Sequence, residues 1–509
     1  MPRKAPAAPI WLALNLACMQ GYTQAGTSSQ PGTSFQPGSS SLGEDVTRDV
    51  TASRAIDPGP RGGPVGAGGP LAGLSADEVS FFLEARTRFQ EVQSVSGGIE
   101  ESSGLGPTFN GNSCTACHAE PAVGGTSPHP RLGFVKTPNP QIAFAALDRI
   151  SPAQYQTVPS FILEDGPVRE ARFIKNPDGS KDGGVHGLFT IAGRIDAPDC
   201  KLAQPDFAAQ LAKNNVIFRI PTALYGLGLV ENVSDQELMA NLESTADARA
   251  HLGIRGRFNR SGNDGTITRF GWKAQNKSLL LFSGEAYNVE QGVTNDLFPN
   301  KRAASPGCNL NPLPEDSTNI HNPDAPNSLA GSANQMSSDM VNFAVFMRLL
   351  APPTATTSTP SELNGAQVFA SVGCNLCHTQ TLVAEQSIFT GQSGVHFRPY
   401  TDVALHHMGP RLADQVSQGA AGPDEFRTAP LWGVGQRIFF LHDGRAGPKN
   451  GGLLAAILAH ASSNSDCDER QLLTGDGVAC RSEANAVVGR FRALGPSDKQ
   501  DLVNFLRSL

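Results

Sequence analysis

Apolar residues recur at helical spacing from residue 75 onward. Ser75 and Glu78 make a capping-box pair, and Val79, Phe82, Leu83, Phe89 and Val92 follow on one face, so a helix is predicted there, closed by Gly97 and Gly98. Two later amphipathic runs open alike. DMVNFAVFMRLL begins at Asp339 and DLVNFLRSL at Asp501, both reading DxVNF, which is the pattern of a duplicated domain. The first half carries more chain before its DxVNF helix. Part of that excess, VPSFILEDGPVREARFI and GLFTIAG with the turn signal NPDGSKDGG between them, reads as extended ribbon.

Three stretches break the pattern. The apolar run PIWLALNLAC follows Arg3 and Lys4 and is too short to span a bilayer, so residues 1–23 read as an export signal. Cys18 follows Ala17 as a lipid-acceptor cysteine would, while Asn15 stands where such signals usually carry Leu; lipidation and simple cleavage both stay open. Residues 24–73, dominated by Gly, Ser, Pro and Thr, read as a disordered tether, and APPTATTSTP at 351–360 reads as a linker. Two domains follow, 74–350 and 361–509. A hydrophobic share of 39% is that of a soluble globular protein, and a net charge of -7 with 17% charged residues offers no basic stripe, which argues against a nucleic-acid partner.

The chemistry sits in two repeated clusters. NGNSCTACHAEP holds Cys114, Cys117 and His118, and SVGCNLCHTQT holds Cys374, Cys377 and His378. CxxC alone would serve a redox dithiol or half a zinc site, but a His directly after it fits covalent haem attachment, where two thiols add to the vinyl groups and the His reaches the iron. Zinc would need a second CxxC pair at each site. The chain has nine cysteines; Cys200, Cys308, Cys467 and Cys480 remain after the two clusters and Cys18. In an exported chain these suggest two disulfides, Cys467 to Cys480 as the short loop and Cys200 to Cys308 by elimination, the alternative being four buried thiols.

With both clusters in place, the sequence resembles the di-haem cytochrome c peroxidase superfamily, and within it the di-haem oxidoreductases described as peroxidases. GLGPTFNGNSCTACH, RFGWKAQNKSLLLFSGEAYNVEQGVTN, YTDVALHHMGPRLAD, EFRTAPLWGVGQRIFFLHDGRA and DLVNFLRSL carry the resemblance. It implies a mainly α fold of two cytochrome c-like haem domains, the first enlarged by loop and β-ribbon insertions. One haem, usually the N-terminal one, would react with peroxide and the other would relay electrons. Trp272 and Glu290 stand at nearly the spacing of the inter-haem Trp and distal acid, and a carboxyl group there can move a proton during O–O cleavage. Phe282 departs from the Gln of some relatives. For the second haem the resemblance offers His460 as sixth ligand, with Met408 as the rival, and His129 is a candidate near the first. A small redox-protein donor, hydrogen peroxide or another small oxidant, and a periplasmic or exported location follow from the same likeness, with the membrane reached only through a lipid anchor. The superfamily also raises calcium, without a ligand motif here. Two rival functions are an electron-transfer cytochrome with both haems six-coordinate and an oxygen-reacting enzyme resembling the rubber oxygenases.

Overall fold

In the computed structural model, which describes residues 42–97, 102–128, 139–144, 156–318, 337–462 and 481–509, each CxxCH segment follows a helix that packs against the DxVNF helix of its own half. The first pair is Ala76–Gln90 with Asp339–Leu349, and the second is Pro360–Val372 with Pro496–Ser508. Both leading helices start from reciprocal caps. Ser75 Oγ accepts from the Glu78 amide at 3.3 Å while Glu78 answers to the Ser75 amide at 2.8 Å, and Thr359 with Glu362 repeats the arrangement.

The two helices end differently. Gly373 closes the second at φ +102, a left-handed position that a side chain would strain, and the chain turns straight into Cys374. The first ends at Gln90, not at Gly97 as its spacing suggested, because Glu91 is extended and the Gln93 amide pairs with the Asn112 carbonyl. The chain therefore detours through residues 91–113 before its cysteines.

Aromatic contacts repeat around both histidines. Phe89 meets His118 at 6.1 Å and Phe343 at 5.9 Å; Phe369 meets His378 at 6.3 Å and Phe505 at 5.6 Å. Phe343 and Phe505 are the Phe of each DxVNF, and a tyrosine backs each, Tyr287 at 5.0 Å and Tyr400 at 6.0 Å. Such rings bury large apolar area in fixed edge-to-face geometry, which explains why the motif Phe recurs.

The expected ribbon is present. Strands β1 (Thr108–Phe109) and β4 (Phe189–Thr190) pair, and β2 (Glu170–Phe173) lies between β3 (Val185–His186) and β5 (Val216–Arg219). They cover a separate cluster of Phe109, Phe161, Phe173, Phe189, Phe207 and Phe218. With 33% helix and 12% strand the fold is mixed helix and sheet, which corrects the mainly α expectation. Long loops take the chain that helices were expected to hold. The Cys200–Cys308 disulfide is formed, closing the ribbon region across 108 positions; Cys467, Cys480, Cys18 and His129 lie outside the described residues.

The segment read as a tether differs from expectation from residue 42 on. Glu44–Ala52 is a helix packed on Gly452–Ala459, with Val46 fully buried. Asp57 then pairs with Arg507 at 2.6 Å and accepts from the Leu453 amide at 2.7 Å. Leu71 donates to the Leu349 carbonyl, and Gly69 and Gly66 accept from Ala351 and Thr354, so this strand of chain runs beside the 351–359 linker and fixes both. Few apolar residues are needed, because ion pairs and backbone hydrogen bonds do the fixing. No helix among the described residues is long and apolar enough to cross a membrane.

Candidate functional site

Two cavities open on the two CxxCH segments. The first, of ≈170 Å³, is lined by Cys114, Cys117 and His118 together with Phe89, Trp272, Phe282 and Glu290. His118 Nδ1 bonds the Gly125 carbonyl at 3.0 Å, with the Thr222 backbone also beside the ring. A Cβ at Gly125 would overlap the Glu120 carbonyl, so only glycine lets this loop close under the ring. Burial lowers His118 to about 4 and raises Cys114 to about 12, leaving a neutral imidazole and a neutral thiol at neutral pH.

Glu290 lies in the last turn of the Leu279–Gln291 helix, where Gly292 at φ +75 caps it and the Glu290 carbonyl accepts from the Asn110 amide at 2.7 Å. That bond ties the acid's backbone to the segment leading into Cys114. The Glu290 side chain hydrogen-bonds the Glu170 side chain of β2, and both line the cavity. Burial first, and then the Glu170 charge, push Glu290 well above the usual carboxyl range. Burial works against the Glu170 charge as well, but Arg172 and Arg219 hold that group low. Arg172 Nε donates to Glu170 at 2.7 Å, and Arg219 stands opposite Glu170 in the β2–β5 register.

The second cavity, of ≈230 Å³, is lined by Cys374, Cys377, His378, Met408, His442 and His460 among mostly apolar neighbours such as Leu453 and Phe491. His378 Nδ1 bonds the Tyr400 carbonyl at 2.9 Å, which leaves Nε2 for a metal, as at ligating histidines generally. His460 follows the Gly452–Ala459 helix, with Nδ1 on the Ala456 carbonyl at 2.7 Å. Burial lowers His378 to about 4, with the nearby His460 adding to the fall, and burial lowers His460 too. Both rings are therefore neutral and able to ligate. Met408 borders the same cavity, so both rivals for the sixth position are in place.

Trp272 lines both cavities. Its Nε1 donates to the Ile220 carbonyl at 2.8 Å, and its ring meets His442 edge-on at 6.4 Å. His442 in turn stacks on Phe426 at 4.3 Å. His406 also lines the second cavity, its Nδ1 3.9 Å from Cys377 Sγ and 2.7 Å from Glu483 and its Nε2 3.0 Å from Asp402, while His407 bonds Asp424 at 3.0 Å. Among the described residues, the three ligating side chains close enough to hold a metal ion are Cys377, Asp402 and His406, a thiol-bearing set unsuited to calcium.

Both cavities fit haem by their donors. Each presents two thiols and a neutral imidazole held by a carbonyl. In the second, burial pulls Arg427 and Arg437 down to about 10 with no carboxylate among the described residues to offset them, which suits an anionic propionate edge. In the first, Asn110 Nδ2, Gln275 Oε1 and Gln291 Oε1 are buried without a partner, as groups awaiting a polar ligand are.

The model of the family described as di-haem oxidoreductase, putative peroxidase, matches residues 169–509, two thirds of the chain, and the protein belongs to that family. The matched region contains Glu170, Trp272, Glu290 and the second CxxCH, while the first CxxCH precedes it. No curated protein matches the chain.

Several lining residues escaped the sequence reading, chiefly Glu170, Arg172, Arg219, Arg427 and Arg437. For one pair a signal existed. In the strand Glu-Ala-Arg-Phe, alternation puts Glu170 and Arg172 on the same face, and charge on a strand that should pack against a core marks a site.

Proposed function

We propose that the chain is an exported di-haem c-type oxidoreductase that reduces hydrogen peroxide. Cys114 and Cys117 anchor one haem with His118 as proximal ligand, and Cys374 and Cys377 anchor the other with His378. His460 would hold the second haem's iron together with His378, with Met408 packing beside it in the same cavity. Each half is a cytochrome c-like unit, a reading supported by the helix pair around each motif and the repeated Phe–His contacts. Electrons enter from a small redox protein and pass the second cavity, with Trp272 between the two. Export is supported by the basic and apolar start of the chain and by the Cys200–Cys308 disulfide, which an oxidising compartment favours.

The observation that carries this reading is the buried Glu290–Glu170 carboxyl pair lining the first cavity, with Trp272 on the wall shared with the second. When bound, haem supplies an iron that can hold peroxide and exchange single electrons. The chain's own groups supply the rest. Glu290 offers a proton inside a cavity that desolvates it, and the Glu170–Arg172 pair keeps that proton on Glu290. Phe282 gives the cavity one apolar wall, but the two acids beside it favour peroxide, whose cleavage needs a delivered proton, over simple oxygen binding.

The test is Glu290→Gln, which keeps size and removes the exchangeable proton. The peroxide reaction of the fully matured variant, compared at the redox level where the first haem is open, should slow by about a hundred- to ten-thousand-fold. Haem content and the second haem's spectrum should stay as they were. Unaltered kinetics would remove Glu290 from the reaction.

A further inference from the structure

We infer that Glu170 is a positioning residue that shares one proton with Glu290, so that the proton-carrying unit of the first cavity is a carboxyl pair and not a single acid. The inference rests on the peroxidase reading for its chemistry and on geometry for its existence. Two carboxyl groups repel unless one keeps a proton, so the hydrogen bond between Glu170 and Glu290 fixes a proton between them. The arginine side of the site decides where it rests. Glu170 is the partner bonded to Arg172, at 2.7 Å, and the one opposite Arg219 in the sheet. Arg172 is itself fixed, its Nη1 donating to the Gly183 carbonyl at 2.8 Å. Glu170 is therefore the carboxylate and Glu290 the acid. Among the described residues, Arg302, whose charge reaches both acids, Glu285, earlier on the Leu279–Gln291 helix, and Arg169 also border the pair's cavity or act on the pair.

A neutral Glu290 has a consequence for the reaction. Acting alone, it could give a proton but could not first take one. With Glu170 behind it, Glu290 accepts the proton of hydrogen peroxide while the proton it already held moves to Glu170, leaving a hydroperoxide anion and two neutral carboxyls. One proton then returns through Glu290 to the outer oxygen, which leaves as water with the electron pair of the O–O bond, and the pair is restored to one proton. Over the whole reduction the two electrons come from the redox-protein donor and the two further protons from solvent, so that one peroxide becomes two waters. Two carboxyls with unequal surroundings, one held neutral by burial and one held charged by cations, are the arrangement that lets such a shuttle run near neutral pH.

The pair was hidden in the sequence by 120 positions of separation, and the two acids meet because β2 and the C-terminal end of the Leu279–Gln291 helix border one cavity.

The experiment is infrared spectroscopy of the matured holoprotein at neutral pH, following the C=O stretch of a protonated carboxyl, beside peroxide kinetics on the same samples. The unmodified protein should show the band, and Glu290→Gln should lose it. In Glu170→Gln the neighbouring negative charge is gone and Arg172 is freed while the burial of Glu290 remains, so the band should shift in frequency and titrate at lower pH, and the peroxide reaction should fall about tenfold or more. Glu170→Asp keeps the charge and lengthens the gap, so its band should persist at a shifted frequency with an intermediate rate, which guards against a folding defect. A band unchanged by Glu170→Gln would overturn the pair. A shifted band with an unchanged rate would overturn its part in proton transfer. If the unmodified protein ignores peroxide, the peroxidase reading fails, while the infrared result still decides whether the pair exists.

Discussion

The two CxxCH cavities share a scaffold and differ in what borders it. Phe89 meets both His118 and Phe343 much as Phe369 meets both His378 and Phe505, and each histidine ring is held by a backbone carbonyl through Nδ1. Beyond those contacts the likeness ends. The first cavity meets two carboxyls, Arg172 and unpartnered amide groups, whereas the second meets His460, Met408 and a largely apolar wall. The differing residues come from chain outside the shared helix pair, the β2 strand and the Leu279–Gln291 helix in one half and the Gly452–Ala459 helix with its following His460 in the other. On the function proposed above, a repeated frame holds the same cofactor twice while inserted chain assigns proton chemistry to one copy and electron relay to the other. Environment, not the attachment motif, makes the distinction.

The comparison breaks most completely where a cavity loses its cofactor. Replacing Cys374 and Cys377 by Ala should remove one of two haem additions from the intact mass of the periplasmically matured chain, and leave the first attachment in place. A single addition in the unmodified protein would end the two-site reading. Next in size, the Glu290→Gln loss of peroxide reactivity should be confined to the first cavity, since that residue borders only that one of the two. A milder change sharpens the second cavity. His460→Ala should turn its low-spin signal high-spin or shift it strongly, while Met408→Leu should leave it in place; the reverse result would give the sixth position to Met408.

Much of the scaffold was legible because it is local. The Ser75–Glu78 cap, the DxVNF helices and the ribbon around Glu170 are written in spacings of a few residues, and local spacing fixes helix starts and strand faces. The cysteine clusters were legible for the same reason. The Cys200–Cys308 pairing came from elimination and is present. What could not be read depends on contacts across the chain. Composition made residues 42–73 look unfoldable, yet Asp57 on Arg507 and the backbone bonds to Leu349 and Ala351 hold them with little apolar burial. Glu290 was suggested by resemblance, but its partner Glu170 sits on a strand far away in sequence, where the Glu170–Arg172 alternation marks a charged face and nothing short-range ties that face to Glu290. Likewise Arg427 and Arg437 look like ordinary charged residues until burial shows that no acid among the described residues offsets them.

The claim beneath all of this is that one site is open and the other closed. An EPR spectrum of the matured, oxidised protein tests it most directly, because it counts high-spin and low-spin ferric haems in one sample. The expected result is one high-spin signal from the first cavity and one low-spin signal from the second, of equal weight. Two low-spin signals that persist at every redox level, with no peroxide reaction, would contradict the account and leave an electron-transfer cytochrome in its place.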